Sequence, residues 1–341
     1  MTTFWLSTHV GYACRHSGAC CTARWPIPIE RDRAPAVQAA IAAGRVHAPE
    51  DWYRAAPEAP ADVAGVLARQ PSGACVFHRP DGEVSGLPSA GGCAIHPLRP
   101  VACRHFPYVC VIDPRGVHVT LSHFCPTAAN RLFDVEVDVS IVKGPAVPLE
   151  GVEPEGLDAR EGLPPAELGT QGPALGAAPG TMPAPGTRPR LLSWDAVSQW
   201  ERMLVARLGN DSSIPDAPSV GAFDRARAAV LPGWAWPEAP ADVVRVWHSL
   251  VAPQWGSWTP VIGRYLAAKA HASWAMHLGT GPPAVERMVG VSRIVLQVEA
   301  TRACLSRGRG LDRPALTEAL RQADLLLVHY ADPFRFHRHD A

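Results

Sequence analysis

Residues 93–125 read CAIHPLRPVACRHFPYVCVIDPRGVHVTLSHFC. Val109-Cys110-Val111-Ile112 and Val117-His118-Val119-Thr120 flank Asp113-Pro114-Arg115-Gly116, whose Pro and closing Gly suit a type I turn. The run therefore predicts a hairpin with Cys110 on a strand. It also carries four thiols, Cys93, Cys103, Cys110 and Cys125. Upstream stand Cys14, the vicinal pair Cys20-Cys21, and Cys75, so eight of the nine cysteines lie between Cys14 and Cys125, with Cys304 alone in the far half. Downstream, Phe133, Val135, Val137, Val139 and Ile141 alternate with Asp134, Glu136, Asp138 and Ser140, the period of a half-buried strand.

These patterns divide the chain and predict an α+β fold class. Residues 1–142 are expected to form a small, loop-rich cysteine-cluster domain with a short antiparallel sheet. Residues 143–190, dense in Pro, Gly and Ala and without an aromatic residue, read as a linker too poor in apolar area to order itself. Residues 191–341 are expected to be an all-α helical bundle. Ser193 can cap a helix in which Trp194, Val197, Trp200, Leu204 and Leu208 recur at helical spacing, and Gly209 stands where a left-handed C-terminal cap would go. Further helices are predicted at roughly 241–251, 260–278, 283–306 and 312–330. Tryptophans at helical positions, among them Trp247, Trp255 and Trp274, are read as core, and Cys304 as a buried core thiol.

Lysine plus arginine (32) equals aspartate plus glutamate (32), which favours neither nucleic acid nor an anionic membrane as partner. No run of about 18 apolar residues occurs and Met1 to Val10 has no basic segment before an apolar one, so a cytoplasmic protein is expected. In that compartment thiols stay reduced, and a dense cysteine group points to metal or redox chemistry rather than to disulfides. The candidate metal ligands are Cys14, Cys20, Cys21, Cys75, Cys93, Cys103, Cys110 and Cys125. No C-x-x-C pair occurs, and neighbouring side chains such as Cys20 and Cys21 point apart on an extended backbone, so two metals or a multi-metal cluster fit better than one tetrahedral ion. Thiolates serve zinc, iron and iron–sulfur clusters alike, with the vicinal pair and the lack of zinc knuckles favouring iron–sulfur. Arg99 and Arg104 flank Cys103 and would offset the negative charge of the sulfurs around such a cofactor.

Cys14-Arg15-His16-Ser17-Gly18-Ala19-Cys20-Cys21, Cys75-Val76-Phe77, the run from Cys93 through Arg99-Pro100-Val101-Ala102-Cys103-Arg104-His105-Phe106-Pro107, and Cys125-Pro126 together resemble the YkgJ-type cysteine-cluster family. The resemblance covers about the first 130 residues and implies zinc or iron chelation. Two positions depart from the family pattern: Ser17 stands for a cysteine and His96 for an aromatic. Cys110 is the favoured replacement ligand, with His16, His78, His96, His105 and His123 as alternatives. The helix-rich second half, with Arg264-Tyr265-Leu266-Ala267-Ala268-Lys269, is loosely similar to the bacterial flagellin lysine N-methylase layout, which implies an enzyme acting on a protein substrate. No G-x-G-x-x-G after a strand marks an ordinary methyltransferase domain. The expectation is thus a metal-binding protein whose helical half docks a protein partner, with a methylase-like or iron–sulfur redox enzyme as the alternative.

Overall fold

The protein is described by a computed structural model, covering residues 1–23, 25–79, 92–134, 137–149, 156–161, 190–210, 240–278 and 281–330, with short pieces at 83–84, 87–88, 166–167, 221–222, 224–225 and 228. Among the described residues, fourteen strands precede the long helices: β1 (Thr3–Leu6), β2 (Pro28–Glu30), β3 (Tyr53–Ala55), β4 (Val63–Leu67), β5 (His78–Arg79), β6 (Glu83–Val84), β7 (Leu87–Pro88), β8 (Gly92–Cys93), β9 (Tyr108–Asp113), β10 (Gly116–Leu121), β11 (Ile141–Gly144), β12 (Leu157–Asp158), β13 (Ala166–Glu167) and β14 (Arg190–Leu191). The predicted hairpin is β9 and β10, paired antiparallel with Val119 opposite Cys110. It forms the middle of a five-stranded sheet in the order β11-β1-β10-β9-β12. The sheet is mixed rather than antiparallel, because β1 runs parallel to β10 and β12 parallel to β9.

Four short helices accompany the strands: α1 (Ala19–Thr22), α2 (Ala34–Ala42), α3 (Val101–His105) and α4 (Pro126–Asp134). The strand expected over 133–141 is not formed as such. Ala128, Ala129 and Leu132 bury one face of α4 at helical spacing, which carries the chain as helix to Asp134, and the strand begins only at Ile141. Residues 135–136 of that pattern lie outside the described residues. Parts of the expected linker are ordered as well: Val147 and Leu149 are buried, and β12 pairs with β9. Gly156 passes so close to the sheet that a Cβ there would sit 2.3 Å from the Cys110 carbonyl oxygen. The remainder of 143–190 falls largely outside the described residues.

The second half is helical: α5 (Trp194–Gly209), α6 (Pro240–Val246), α7 (Ala252–Trp255), α8 (Thr259–Ala270), α9 (Ala275–Leu278), α10 (Pro282–Arg307) and α11 (Arg313–Asp324). Ser193 caps α5 by accepting from the Ala196 amide at 3.2 Å, as predicted, while the helix runs through Gly209 to Asn210. The helix expected over 260–278 breaks at His271, where Ala272 takes a positive φ of 52°. No helix among the described residues is long and apolar enough to cross a membrane.

The helices pack on one face of the sheet. Alternation along β1 sends Leu6 into a core shared with Leu132, Tyr265, Leu296 and Leu320, and Trp5 into the opposite core with Cys110, Leu121 and Cys125. Between sheet and helices the chain buries charge. Asp324, at the end of α11, accepts from Lys269 Nζ at 2.6 Å, Tyr265 Oη at 2.9 Å and the His123 amide at 2.5 Å, and lies 3.2 Å from His123 Nδ1. Lys269→Ala leaves that carboxylate without its cation, and a loss of about 3–5 kcal/mol is expected in urea unfolding. Burial alone would raise the Asp324 carboxyl, but Lys269 and His123 hold it below the usual carboxylate range. An unfolded aspartate titrates near about 3.9, so this stabilisation is complete above that pH and is lost as the pH falls below it, measurable as a falling Tm.

Candidate metal centre

Five of the eight candidate thiols gather in one place. Cys21 and Cys75 are buried in a core with Ile29, Trp52 and Phe77, and Cys20, Cys93 and Cys103 pack against it. Four chain segments deliver them. Gly18, with a φ of 71°, turns the chain into α1, where the His78 ring lies against it so closely that a Cβ would come within 2.7 Å of His78 Nε2. Cys75 is tied to α1 by its amide, which donates to the Cys21 carbonyl at 2.7 Å. The pairing of His78 with Cys93 brings in β8, and the Cys103 amide donates to Pro100 at the start of α3.

The thiols influence one another. Hydrogen bonds from Cys21 lower the Cys20 thiol to about 7 and also lower Cys93, while Cys21 itself is raised by those same two neighbours. Burial raises Cys75 to about 11 and Cys103 well above the ordinary thiol value, with the neighbouring sulfurs adding to both. Arg99 offsets this at Cys14, Cys20, Cys93 and Cys103, the role expected of it. Arg104 instead donates to the Pro97 carbonyl at 3.3 Å.

The remaining three thiols stand elsewhere. Cys14 is exposed, with its sulfur 3.4 Å from the His16 amide, and Cys14, His16 and His96 present one ligand atom each within 4.8 Å of one another. His96 Nε2 is buried with no hydrogen-bond partner, and the ring is held neutral by burial, aided by Arg99 and His16, its pKa lowered to about 4. Cys125 belongs to the other core, where its sulfur lies 3.3 Å from Tyr12 Oη. Cys110 faces that same core, and burial alone pushes its thiol up to about 12, with no contribution from another sulfur. Cys110, the favoured ligand in place of a cysteine at Ser17, stands apart from the other thiols, because the strand that carries it turns its side chain into the Trp5 core, while the His16 and His96 rings lie together beside Ser17. All nine cysteines are free thiols.

Sequence reasoning missed a second group of ionisable residues between sheet and helices. Asp113 and Glu201 share Arg115, at 2.6 Å and 3.0 Å, and His118, His271 and His277 surround them. One signal was present: Glu201 interrupts the apolar stripe of α5 between Val197 and Val205, one helical turn from each. A cavity of about 280 Å³ also lies at this boundary, lined among others by Tyr108, Cys110, Lys269, Trp274, Met288 and His329. No family model, curated protein or solved structure matches the chain.

Accessibility separates the thiols of metal-free, native protein. Brief alkylation read by peptide mass spectrometry is expected to modify Cys14 first and to spare Cys110 and Cys304, which are buried. Early labelling of Cys110 would contradict its placement.

Proposed function

We propose that the protein is a metal-binding protein holding an iron–sulfur or zinc/iron centre on Cys20, Cys21, Cys75, Cys93 and Cys103. The observation that carries this reading is that five thiols from four chain segments share one core, with Cys21 in side-chain contact with Cys20 and Cys93 and with Cys103 influenced by Cys20, Cys93 and Cys75. A core of ordinary buried cysteines would scatter them. The donor set fits such a centre chemically, since thiolates are the ligands common to zinc, iron and iron–sulfur sites, and Arg99 supplies the positive charge that offsets them. The resemblance of these segments to the YkgJ-type pattern supports the same conclusion.

Five thiols exceed the four ligands that one tetrahedral zinc ion takes, which supports a multi-metal cluster. Cys14, His16 and His96 form another donor set influenced by Arg99, which would complete the coordination in place of the cysteine for which Ser17 stands. When bound, an iron–sulfur centre would supply one-electron chemistry; the chain's own contribution is to hold the thiols, shield them and balance their charge.

A second reading, an enzyme acting on a protein substrate, has one observation in its favour. The 280 Å³ cavity is bordered by Lys269 and Trp274 and backed by Cys110, so the helical half offers a place for a side chain or small molecule next to the sheet. Docking of a protein partner there belongs to the same proposal.

Anaerobic purification with analysis of iron, zinc and acid-labile sulfide tests the main reading. Stoichiometric metal is expected, falling to a small fraction in Cys93→Ser and Cys103→Ser and unchanged in Cys110→Ser. Metal-free protein, or equal loss in Cys110→Ser, would refute it. His96→Phe is expected to weaken metal retention against a chelator roughly 10- to 100-fold, as the loss of one ligand or its close support does elsewhere.

A further inference from the structure

We propose that His118, His271 and Glu201 form a second, fully buried metal site between the sheet and the helices, taking a divalent first-row transition ion independently of the cysteines. These residues come from β10, from the residue that ends α8, and from the middle of α5, and their ligand atoms lie within 4.8 Å of one another. None belongs to the cysteine segments.

Hydrogen bonding decides which atoms face the site. His118 Nε2 lies 3.2 Å from Asp113 Oδ1, which leaves Nδ1 as its free donor. That Nδ1 is buried and has no hydrogen-bond partner, in a side chain only 5% exposed. His271 stands between two acceptors, the Phe4 carbonyl oxygen 3.4 Å from Nε2 and Glu201 Oε1 3.0 Å from Nδ1, so one ring proton serves only one of them. A proton on Nδ1 satisfies Glu201 and leaves Nε2 facing the carbonyl and His118 Nδ1 without a partner. A cation held by His118 Nδ1, His271 Nδ1 and Glu201 Oε1, with the ring proton on Nε2, satisfies all of them.

The surroundings have the form of a metal site. Metal-bound imidazoles ordinarily donate their other N–H to a carboxylate or a backbone carbonyl, and Asp113 and Phe4 stand in those positions. Two histidines and one carboxylate are the donor set of non-haem iron and of several catalytic zinc sites. A void of about 10 Å³, near the size that one water or ion needs, adjoins the site and is lined by His118, Glu201, Arg115 and His277, though not by His271. Arg115 holds Glu201 Oε2 at 3.0 Å, while Oε1, which also accepts from the Ala272 amide at 3.4 Å, faces the site. With neutral imidazoles, the two carboxylates outweigh the single guanidinium by one negative charge, which favours a divalent cation over none.

Cobalt(II) titration of the chelator-treated full chain, followed in the visible spectrum, tests the site. Of the cobalt bound, one equivalent is expected to give the weak ligand-field bands of nitrogen and oxygen coordination, distinct from the thiolate-to-cobalt charge transfer that the cysteine centre would contribute. Those bands should persist in Cys93→Ser and disappear in both His118→Gln and Glu201→Gln. Their absence from the unsubstituted protein overturns the site, whether or not the variants fold, and so does their survival in a folded His118→Gln protein. Failure of the thiolate centre would remove iron, sulfide or charge transfer and leave this equivalent in place, so the two proposals fail separately.

Discussion

A carboxylate with no solvent exposure holds the two halves of this protein in register. Asp324 loses its water on folding, a cost of several kcal/mol that only well-placed donors offset. Lys269 and Tyr265 reach it from α8, and the amide and ring of His123 from the turn that leads out of β10. That turn runs on to Cys125 and α4, so the orientation of the helices relative to the sheet is set by one charged group. His9 extends the network, its Nε2 lying 3.2 Å from His123 Nε2, and burial beside that neighbour keeps its ring neutral.

What could be read from the sequence follows from how local each determinant is. The hairpin at Asp113-Pro114-Arg115-Gly116 and the Ser193 cap each depend on a few neighbouring residues, and both formed as expected. The break at His271 has no local cause. Ala272 is not a residue that favours a positive φ, and the chain turns there because His271 meets Glu201 and Phe4 from two other elements. The same holds for residues 133–141, whose alternation satisfies a strand, while the burial of Ala128, Ala129 and Leu132 against the helices favours α4. Tertiary packing decided between two locally acceptable readings.

The candidate site shows the same division. Cysteine density pointed to the part of the chain where five thiols share one core, and Arg99, singled out from its place beside Cys103, acts on several of them. Spacing along the chain could not divide eight thiols into groups, because membership depends on which core each strand and helix faces. Cys110 illustrates this: it is the residue that a count of ligands requires and that the pleat of the sheet turns away. His16 and His96 lie eighty residues apart in sequence, yet their rings sit 4.1 Å apart.

The position of β1 fixes an order of assembly. Thr3 pairs with Val117 on one side and with Gly144 on the other, so the first strand made is an inner strand that cannot be placed until both later partners exist. At ribosomal rates of about 5–20 residues per second, the interval is on the order of ten seconds. By then the segments bearing Cys14 through Cys103 have been made, while the helices from Trp194 onward that dock on the sheet have not. The nascent thiols therefore meet the surrounding solution before the rest of the fold encloses them, and the metal supply and redox state at that moment bear on what the finished molecule contains.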